Sequence, residues 1–290
     1  MKFKNLIWLV AALVSTMSCK NSSSAEEVNI LNVITFNIRY NNPNDGINIW
    51  DNRKEMAADV FINYGIDIAG LQEVKKQQLD DLLGLLPGYA YVGVGRVDGK
   101  TNGEYCPIFY RKEELILMES GTQWLSESPE IIGSKGWDAA LPRIFTWGKF
   151  RQIVDDQEFY FINTHFDHRG IEARIQSSKL LVDVVEELTG GDFPVIVTGD
   201  FNYTRDKEGY SILTNTGNTT PLFDTRDITL LPFDGRPHSA NGFEEREKSK
   251  IIDYIFVNEG IRVKEYDILA IKKDNIYISD HYPVLSALVL

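Results

Sequence analysis

The stretch Val195-Ile-Val-Thr-Gly-Asp-Phe-Asn202 places two polar side chains directly after a run of apolar, β-branched residues. A short apolar run of this kind predicts a buried β-strand. Alternate residues of an extended chain point to the same side, so Asp200 and Asn202 would emerge together where the strand ends. Taken alone, the stretch is more often a capped turn, because Asp and Asn both bond nearby backbone groups.

Seven other stretches have the composition of strands, and with the first they predict a protein of the α/β class. The eight predicted strands are residues 30–36, 66–71, 107–110, 143–150, 159–163, 195–198, 251–257 and 284–290. Two helices are predicted between them. Because strands outnumber helices and the two types do not alternate strictly, we expect two packed sheets with helices outside them.

The two predicted helices have amphipathic patterns. The first begins at Asn52, which has Glu55 three residues later in the pattern of a capping box. Its predicted apolar face is Met56, Val60 and Tyr64, and Gly65 ends it. The second helix follows Gly170. Its predicted buried stripe is Ile171, Ile175, Leu181, Val185 and Leu188.

The charge balance of the chain limits its partners. Lys and Arg total 30 against 42 Asp and Glu, which gives a formal net charge of -12, and no basic stripe runs along the sequence. Tight passive binding to nucleic acid depends on cationic contacts to phosphates, so this composition disfavours it. An acidic enzyme can still cleave phosphodiesters when a bound metal supplies the local positive charge.

The N-terminal residues have the features of an export signal. Lys2 and Lys4 precede an apolar run over residues 6–14, which is too short to span a membrane. The residues before Cys19 resemble a relaxed bacterial lipoprotein processing site, and plain secretion with cleavage nearby is the alternative. We therefore expect a signal peptide over 1–18, a lipidated tether over 19–27 and one folded domain over 28–290. The protein would lie in the envelope of a Gram-negative bacterium, as a periplasmic or outer-membrane lipoprotein that contacts the membrane only through its lipid.

Polar residues also follow other predicted strands, in the runs TFN, LQE, INTH and ISDH. These runs end at or contain Asn37, Glu73, His165, Asp280 and His281. Each has an ordinary explanation alone, such as a solvated strand end, a structural histidine or a turn before proline. If the strand ends converge, however, the side chains line one cleft.

Three of these residues carry only oxygen donors that suit a hard cation. Asn37, Glu73 and Asp280 together make an all-oxygen set suited to Mg²⁺ or Mn²⁺ and unsuited to a soft metal. The sequence therefore favours a hard divalent cation as cofactor.

The motifs in order resemble the endonuclease/exonuclease/phosphatase superfamily, which includes deoxyribonuclease I. The resemblance covers residues 28–290 and is carried by TFN, LQE, NTH, GDFN, DYIFVN from Asp253 and SDH. It implies a four-layered α/β sandwich and a metal-dependent hydrolase of phosphodiester or phosphomonoester bonds, with water attacking phosphate in line.

The resemblance also implies roles for single residues. Glu73, helped by Asn37 and Asp280, would hold the metal against a phosphate oxygen. Asp200 and Asn202 would orient the attacking water or a second metal, and Asn202 would also bond the phosphate. The catalytic and metal-binding residues implied are Asn37, Glu73, His165, Asp200, Asn202, Asp253, Asp280 and His281.

The histidines and the supporting residues have implied roles too. His281 would activate or orient the nucleophile, with Asp253 fixing its tautomer, and His165 would bond the phosphate and favour the developing charge. Glu104 stands where some relatives place the carboxylate partner of that histidine. Arg143 matches a phosphate-facing arginine of relatives, and a salt bridge at a strand start is the alternative. Asp167, His168 and Arg169 are expected to shape substrate choice or to form a helix-entry turn.

The substrate class stays open at this stage. No basic loop, hydrophobic hairpin or lysine-rich pocket is identifiable, so small phosphorylated or phosphodiester compounds of the cell envelope are the expected substrates, and we expect a monomer. The alternatives are a catalytically inactive binding module on the same fold and a secreted scavenging nuclease.

Overall fold

A computed structural model describes residues 29–233, 235–245 and 250–290. The predicted signal peptide, Cys19, the tether and residue 28 lie outside the described residues. Within these three ranges, no helix combines the length and the apolar character needed to cross a membrane.

Within the described residues, fourteen strands form two six-stranded sheets and one small hairpin. The first sheet has the order β11-β14-β1-β2-β4-β3 and the second the order β5-β6-β7-β8-β10-β9, where the numbers follow the chain. The strands of the first sheet are β1 (Leu31–Asn37), β2 (Ile68–Gln72), β3 (Tyr89–Val92), β4 (Ile108–Arg111), β11 (Arg262–Ile268) and β14 (Val284–Val289). Those of the second are β5 (Leu115–Trp124), β6 (Ile144–Gln152), β7 (Glu158–His165), β8 (Val195–Asp200), β9 (Leu222–Asp224) and β10 (Asp253–Asn258). The hairpin pairs β12 (Lys272–Lys273) with β13 (Ile276–Tyr277).

Helices cover the outer faces of the two sheets. The helices are α1 (Trp50–Asn63), α2 (Lys76–Leu85), α3 (Ile171–Thr189), α4 (Glu208–Leu213) and α5 (Thr225–Ile228), with a 3₁₀ turn at Gly46–Asn48. Apolar residues of α1 and α2 share one core with the first sheet. Residues of α3 and α4 share a second core with the second sheet, and that core extends between the sheets. This architecture confirms the expected α/β sandwich of two mixed sheets with flanking helices.

Strand direction brings the predicted motifs to one end of the sandwich. β1 runs parallel to β2, and β7 runs parallel to β8, so their carboxyl ends lie together in each sheet. β14 is antiparallel to β1 and β10 is antiparallel to β8, so these two strands begin at that same end. We call this end the site end, because the polar runs found in the sequence all surround it.

A layer of buried polar side chains lies between the sheets just beneath the site end. Gln72 donates from Nε2 to Asn163 Oδ1 over 2.7 Å, and Asn163 donates from Nδ2 to the carbonyl oxygens of Leu71 and Pro107. The hydroxyl of Thr198 also reaches Asn163 Oδ1, at 3.3 Å. Buried polar groups are tolerated when they are paired, and here the pairing joins the two sheets below the site.

A glycine leaves room for this polar layer. A Cβ atom added at Gly70 would lie 2.1 Å from Thr198 Oγ1 and 2.6 Å from Asn163 Oδ1. No ordinary side-chain carbon approaches oxygen so closely, so β2 can pass the second sheet at this distance only without a side chain.

All eight predicted strands are present, with ends that differ by no more than two residues. The predicted capping box at Asn52 is wrong, because α1 begins at Trp50 and Asn52 Nδ2 donates to the Ile47 carbonyl. Burial of Trp50 inside the core moves the helix start forward. Tyr64 and Ile171 were expected to be buried but are 40% and 66% exposed, because each lies at a helix end beyond the packed face.

Candidate active site

A cleft of about 400 Å³ opens at the site end between the edges of the two sheets. Its walls come from both sheets and from the loops that follow their strands. The lining residues are Arg39, Tyr40, Glu73, Glu104, Leu141, Arg143, His165, His168, Asp200, Asn202 and His281. Eight of the residues predicted for the site, counting His168, are therefore brought to one cavity, although most of them are far apart in sequence.

Asn37 connects two acidic residues of the cleft. Its Nδ2 atom lies 3.2 Å from Glu73 Oε1 and 3.0 Å from Asp200 Oδ2. Glu73 has a left-handed backbone (φ +61°), and its other carboxylate oxygen accepts a hydrogen bond of 3.1 Å from the Tyr40 amide. A non-glycine residue in this region is strained, so the surrounding contacts hold the Glu73 carboxylate in place.

His281, Asp253 and Asp200 form a chain of contacts. His281 Nδ1 lies 2.9 Å from Asp253 Oδ2, and His281 Nε2 lies 3.9 Å from Asp200 Oδ2. Burial alone would lower the pKa of His281, but the facing Asp253 and Asp200 carboxylates raise it well above its usual range. Burial, together with repulsion from Asp253, raises the pKa of Asp200. The bond to Asp253 keeps a proton on Nδ1 and leaves Nε2 facing Asp200.

His165 stands on the other side of Asp200. Its Nε2 atom lies 3.4 Å from Asp200 Oδ2, and the side chain is almost fully buried. Burial first, and then the nearby Arg143 cation, lower the pKa of His165 well below its usual range, so the ring is neutral.

The expected pairing of Glu104 with His165 is wrong. Glu104 Oε2 lies 2.7 Å from Arg96 Nη1, and Oε1 lies 3.7 Å from Lys75 Nζ. The carboxylate nearest to His165 is instead Asp200. Arg96, a buried arginine in the loop after β3, binds the glutamate instead, and no local sequence pattern predicts this pairing.

Asp280 lies at the edge of this group rather than on the cleft wall. Its carboxylate is 3.6 Å from Arg39 Nη1, and its backbone oxygen accepts bonds from the amides of Asn241 and Gly242. Ser279 links the segment to β1, because its hydroxyl donates over 2.6 Å to the Asn37 carbonyl. The segment that carries Asp280 and His281 is therefore fixed directly to the strand that carries Asn37.

Arg39 and Tyr40 line the cleft but were not predicted. Arg39 has φ +57° and pairs with Asp45 through two hydrogen bonds of 3.0 and 3.1 Å. Its guanidinium also lies over the Tyr40 ring, 4.4 Å from the centroid. In the sequence, their position just after Asn37 is the signal that could have indicated them. A positive φ angle at an arginine cannot be predicted from the residue type.

Arg143 forms the salt bridge considered for it and also lines the cleft. Nε lies 3.3 Å from Asp167 Oδ2, and Nη2 lies 2.9 Å from His168 Nδ1. Nη1 is buried without a hydrogen-bond partner in the described chain. Asp167 also accepts the amides of Arg169 and Gly170, which is the expected helix-entry turn. The Arg169 side chain is exposed and does not line the cleft.

Asn202 faces the cleft from the loop after β8. Its backbone is left-handed (φ +53°), and its amide donates over 3.0 Å to Asp200 Oδ1. One hydrogen of Nδ2 is used by the Phe166 carbonyl at 3.0 Å. The remaining amide hydrogen and Oδ1 have no hydrogen-bond partner among the described residues and can bind a ligand.

The charges around the cleft suit a hard cation. Glu73, Asp200, Asp253 and Asp280 bring four carboxylates together, and two of them, Asp200 and Asp253, are at most 2% exposed. In the described residues, ligand atoms of Asp200, Asp253 and His281 all lie within 4.8 Å of one another. Asp253 and His281 bond each other, and Glu73 and Asp280 add further carboxylate oxygens beside Asp200. Buried excess negative charge of this kind is relieved by a bound cation.

A family model described as the endonuclease/exonuclease/phosphatase family matches residues 34–281. The chain therefore belongs to this family, whose members are hydrolytic phosphoesterases. A family member from Bacteroides vulgatus is 39% identical, with a TM-score of 0.85 over 90% of this chain and 99% of its own. A mannosyl-6-phosphatase from Bacteroides thetaiotaomicron is 37% identical, with a TM-score of 0.82 over 90% of this chain and 100% of its own.

Two other proteins resemble this chain at lower sequence identity. The human Nocturnin catalytic domain is 19% identical, with a TM-score of 0.70 over 89% of this chain and 94% of its own, so the two share the fold. An uncharacterized protein of Acanthamoeba polyphaga mimivirus is 22% identical over 190 residues. That match covers 55% of this chain, and the chain spans about a quarter (27%) of that protein's length.

Proposed function

We propose that this protein is a divalent-metal-dependent phosphatase that hydrolyses phosphate monoesters of small hydroxylated molecules. The single observation that carries the proposal is the chain of contacts from Asp253 through His281 to Asp200, beside Glu73 and Asn37 in one cleft. A catalytically inactive binding module would not need this set of mutually oriented acids and imidazoles.

The residues of the cleft divide into those that hold water and those that hold phosphate. Asp253 fixes the ring of His281, so that His281 Nε2 and the Asp200 carboxylate face the same space, where an attacking water can be oriented. Arg143, Asn202 and neutral His165 lie on the walls around that space and can hydrogen-bond a phosphate. Water would attack phosphorus from that side and pass a proton to the Asp200 carboxylate. The bond from phosphorus to the leaving oxygen would break on the opposite side, in line, and that oxygen would take up a proton from solvent, which gives inorganic phosphate and the free alcohol.

Glu73, Asn37 and Asp280 are proposed to hold Mg²⁺ or Mn²⁺, with Asp200 close by. A cation there supplies Lewis-acid stabilisation of the charge on phosphate. The carboxylates supply hard oxygen donors, and the Asn37 amide can turn its oxygen toward the same point.

Two observations support a small monoester substrate. The structure with 37% identity is a mannosyl-6-phosphatase, and the two chains align over nearly their whole lengths. The net charge of -12 disfavours tight binding of nucleic acid, which depends on cationic contacts to phosphates. We also propose that the protein is located in the envelope of a Gram-negative bacterium and that Cys19 is lipidated. We expect the protein to be a monomer. Replacing Cys19 with Ala should move it from the membrane fraction to the soluble fraction.

The test is hydrolysis of a substrate panel with and without metal. We expect turnover of p-nitrophenyl phosphate and mannose 6-phosphate, loss of turnover in EDTA and recovery with Mg²⁺ or Mn²⁺. Faster cleavage of bis-p-nitrophenyl phosphate, plasmid or RNA would contradict the monoester assignment, and activity that survives chelation would contradict the metal.

A matched pair of variants separates chemistry from folding. Glu73→Gln should lower kcat/KM by about a hundredfold or more, in the range of a lost electrostatic contact to the transition state. Glu187→Gln makes the same substitution on the exposed face of α3 and should leave activity unchanged. Equal activity in the two variants would remove the assigned role of Glu73.

A further inference from the structure

His168 lies at the mouth of the cleft and is supported from below by Arg143. His168 Nδ1 is 2.9 Å from Arg143 Nη2, and both residues line the cleft. The Arg143 side chain is 5% exposed, whereas that of His168 is 42% exposed. The histidine therefore forms the outer part of the wall and the arginine the inner part.

The contact with Arg143 determines which nitrogen of His168 carries the proton. A guanidinium nitrogen can only donate, so His168 Nδ1 must accept and the hydrogen must lie on Nε2. The Asp167 carboxylate is 4.0 Å from Nδ1, too far for a hydrogen bond, and it is already occupied by Arg143 and backbone amides. Burial and the Arg143 cation lower the pKa of His168, which agrees with a neutral ring.

Two other residues complete a small surface at the mouth. Leu141 is 40% exposed and offers apolar contact, and the half-buried Tyr40, whose ring already carries the Arg39 guanidinium, lines the same cleft. A sugar ring or a similar polyol has both apolar C–H faces and hydroxyl groups, so it suits an aromatic ring together with a fixed donor. Phosphate alone would need neither contact.

We propose that Tyr40, Leu141 and His168 form a subsite for the leaving group, in which His168 donates from Nε2 to a hydroxyl of a phosphorylated sugar or polyol. The inference rests on the proposed phosphatase function and extends it from the phosphate to the rest of the substrate. His168 would then set substrate preference and leave the chemistry at phosphorus to the inner residues.

The test compares two substrates that differ in their leaving groups. Mannose 6-phosphate carries hydroxyl groups beside the ester, and p-nitrophenyl phosphate carries none. His168→Asn keeps an acceptor near the position of Nδ1 for Arg143 and removes the outer donor. His168→Gln places a donor near the position of Nε2.

We expect His168→Asn to lower kcat/KM for mannose 6-phosphate by about tenfold, the effect of one lost hydrogen bond. The loss for p-nitrophenyl phosphate should stay below about threefold, and His168→Gln should recover part of the sugar phosphate activity. Free mannose should also inhibit the Asn variant more weakly than the parent, while inhibition by inorganic phosphate should be unchanged. Thermal melts of the parent and both variants establish that all three are folded.

Other outcomes separate this inference from the proposed function. Equal losses for the two substrates would place His168 on the phosphate through Arg143, and no loss would remove it from the substrate altogether. Either result overturns the subsite and leaves the phosphatase assignment standing. A parent protein that hydrolyses neither monoester overturns the proposed function and the subsite with it.

Discussion

Asn37 donates a hydrogen bond of 3.0 Å from Nδ2 to Oδ2 of Asp200, and this bond joins β1 of one sheet to β8 of the other. The same nitrogen lies 3.2 Å from Glu73 Oε1. One amide therefore separates two carboxylates that would otherwise face each other, and it does so where the cleft begins. Its replacement should affect both stability and cation binding.

Asn37→Ala should lower the free energy of unfolding by about 1–3 kcal/mol, because it removes the donor from one buried acceptor, on Asp200, and one half-buried acceptor, on Glu73. Asn37→Asp should melt at a still lower temperature in metal-free buffer, since it adds a third carboxylate beside Glu73 and Asp200. Mg²⁺ should reduce the difference in melting temperature between the Ala and Asp variants, because it neutralises the added charge. Thermal melts with and without Mg²⁺ measure both effects, and an Asp variant that is the more stable one without metal would contradict the argument.

Asp253→Asn should lower kcat by about 10²- to 10⁴-fold, because an amide cannot hold His281 as a carboxylate does. KM should change much less, since the phosphate-binding residues are untouched. Steady-state kinetics of the variant give both values. Asp183→Asn, at an exposed position of α3, is the matched control and should match the parent. A variant with a large rise in KM and an unchanged kcat would show that Asp253 serves binding instead.

Gly70→Ala should destabilise the protein by about 1–3 kcal/mol or more, because the added carbon overlaps the polar layer between the sheets. Gly84→Ala makes the same change in the exposed last turn of α2, where nothing lies within 4 Å. It should stabilise the protein by up to about 1 kcal/mol through helix propensity. Urea unfolding of both variants checks the opposite signs, and two changes of the same sign would refute the packing argument.

Asp67 should make stability depend on pH. Burial raises the pKa of Asp67 to about 6, from an ordinary value of 3.8. Proton binding then favours the folded state, so the contribution of Asp67 is greatest below the unfolded pKa and is lost as pH rises through the folded pKa. Asp67→Asn lacks this titration. Relative to the parent, it should gain about 1–3 kcal/mol between about pH 4 and about pH 7, as read from urea unfolding at both pH values. A difference between the two proteins that does not change with pH would contradict the argument.

Sequence patterns were sufficient where a strand is buried on both faces. The run from Val195 to Thr198 consists of three apolar residues and a threonine, all β-branched, so its composition predicts a strand. β5 and β11 were missed because they are edge strands whose outward residues are polar or charged, as at Glu119 and Glu265. α2 was missed because charged and amide side chains dilute its apolar residues.

Within the site, motifs predicted the residues at strand ends and failed for those fixed by distant partners. Asn37, His165 and Asp200 follow directly from the strands that carry them. Glu104 was assigned the wrong partner because Arg96 reaches it through a loop whose path no local pattern specifies. Arg39 was missed because its position depends on Asp45 and a left-handed backbone.

β1 and β14 are adjacent antiparallel strands. Leu31 pairs with Leu288 at the end of β1 that is remote from Asn37. The length of β1 puts about 20 Å between Leu31 and Asn37, which lies beside the cleft. A support attached to the protein beside Leu31 or Leu288 would therefore leave the cleft accessible to substrate. Protein attached to a bead or a vesicle at that end would have its cleft facing the bulk solvent, from which phosphate esters diffuse.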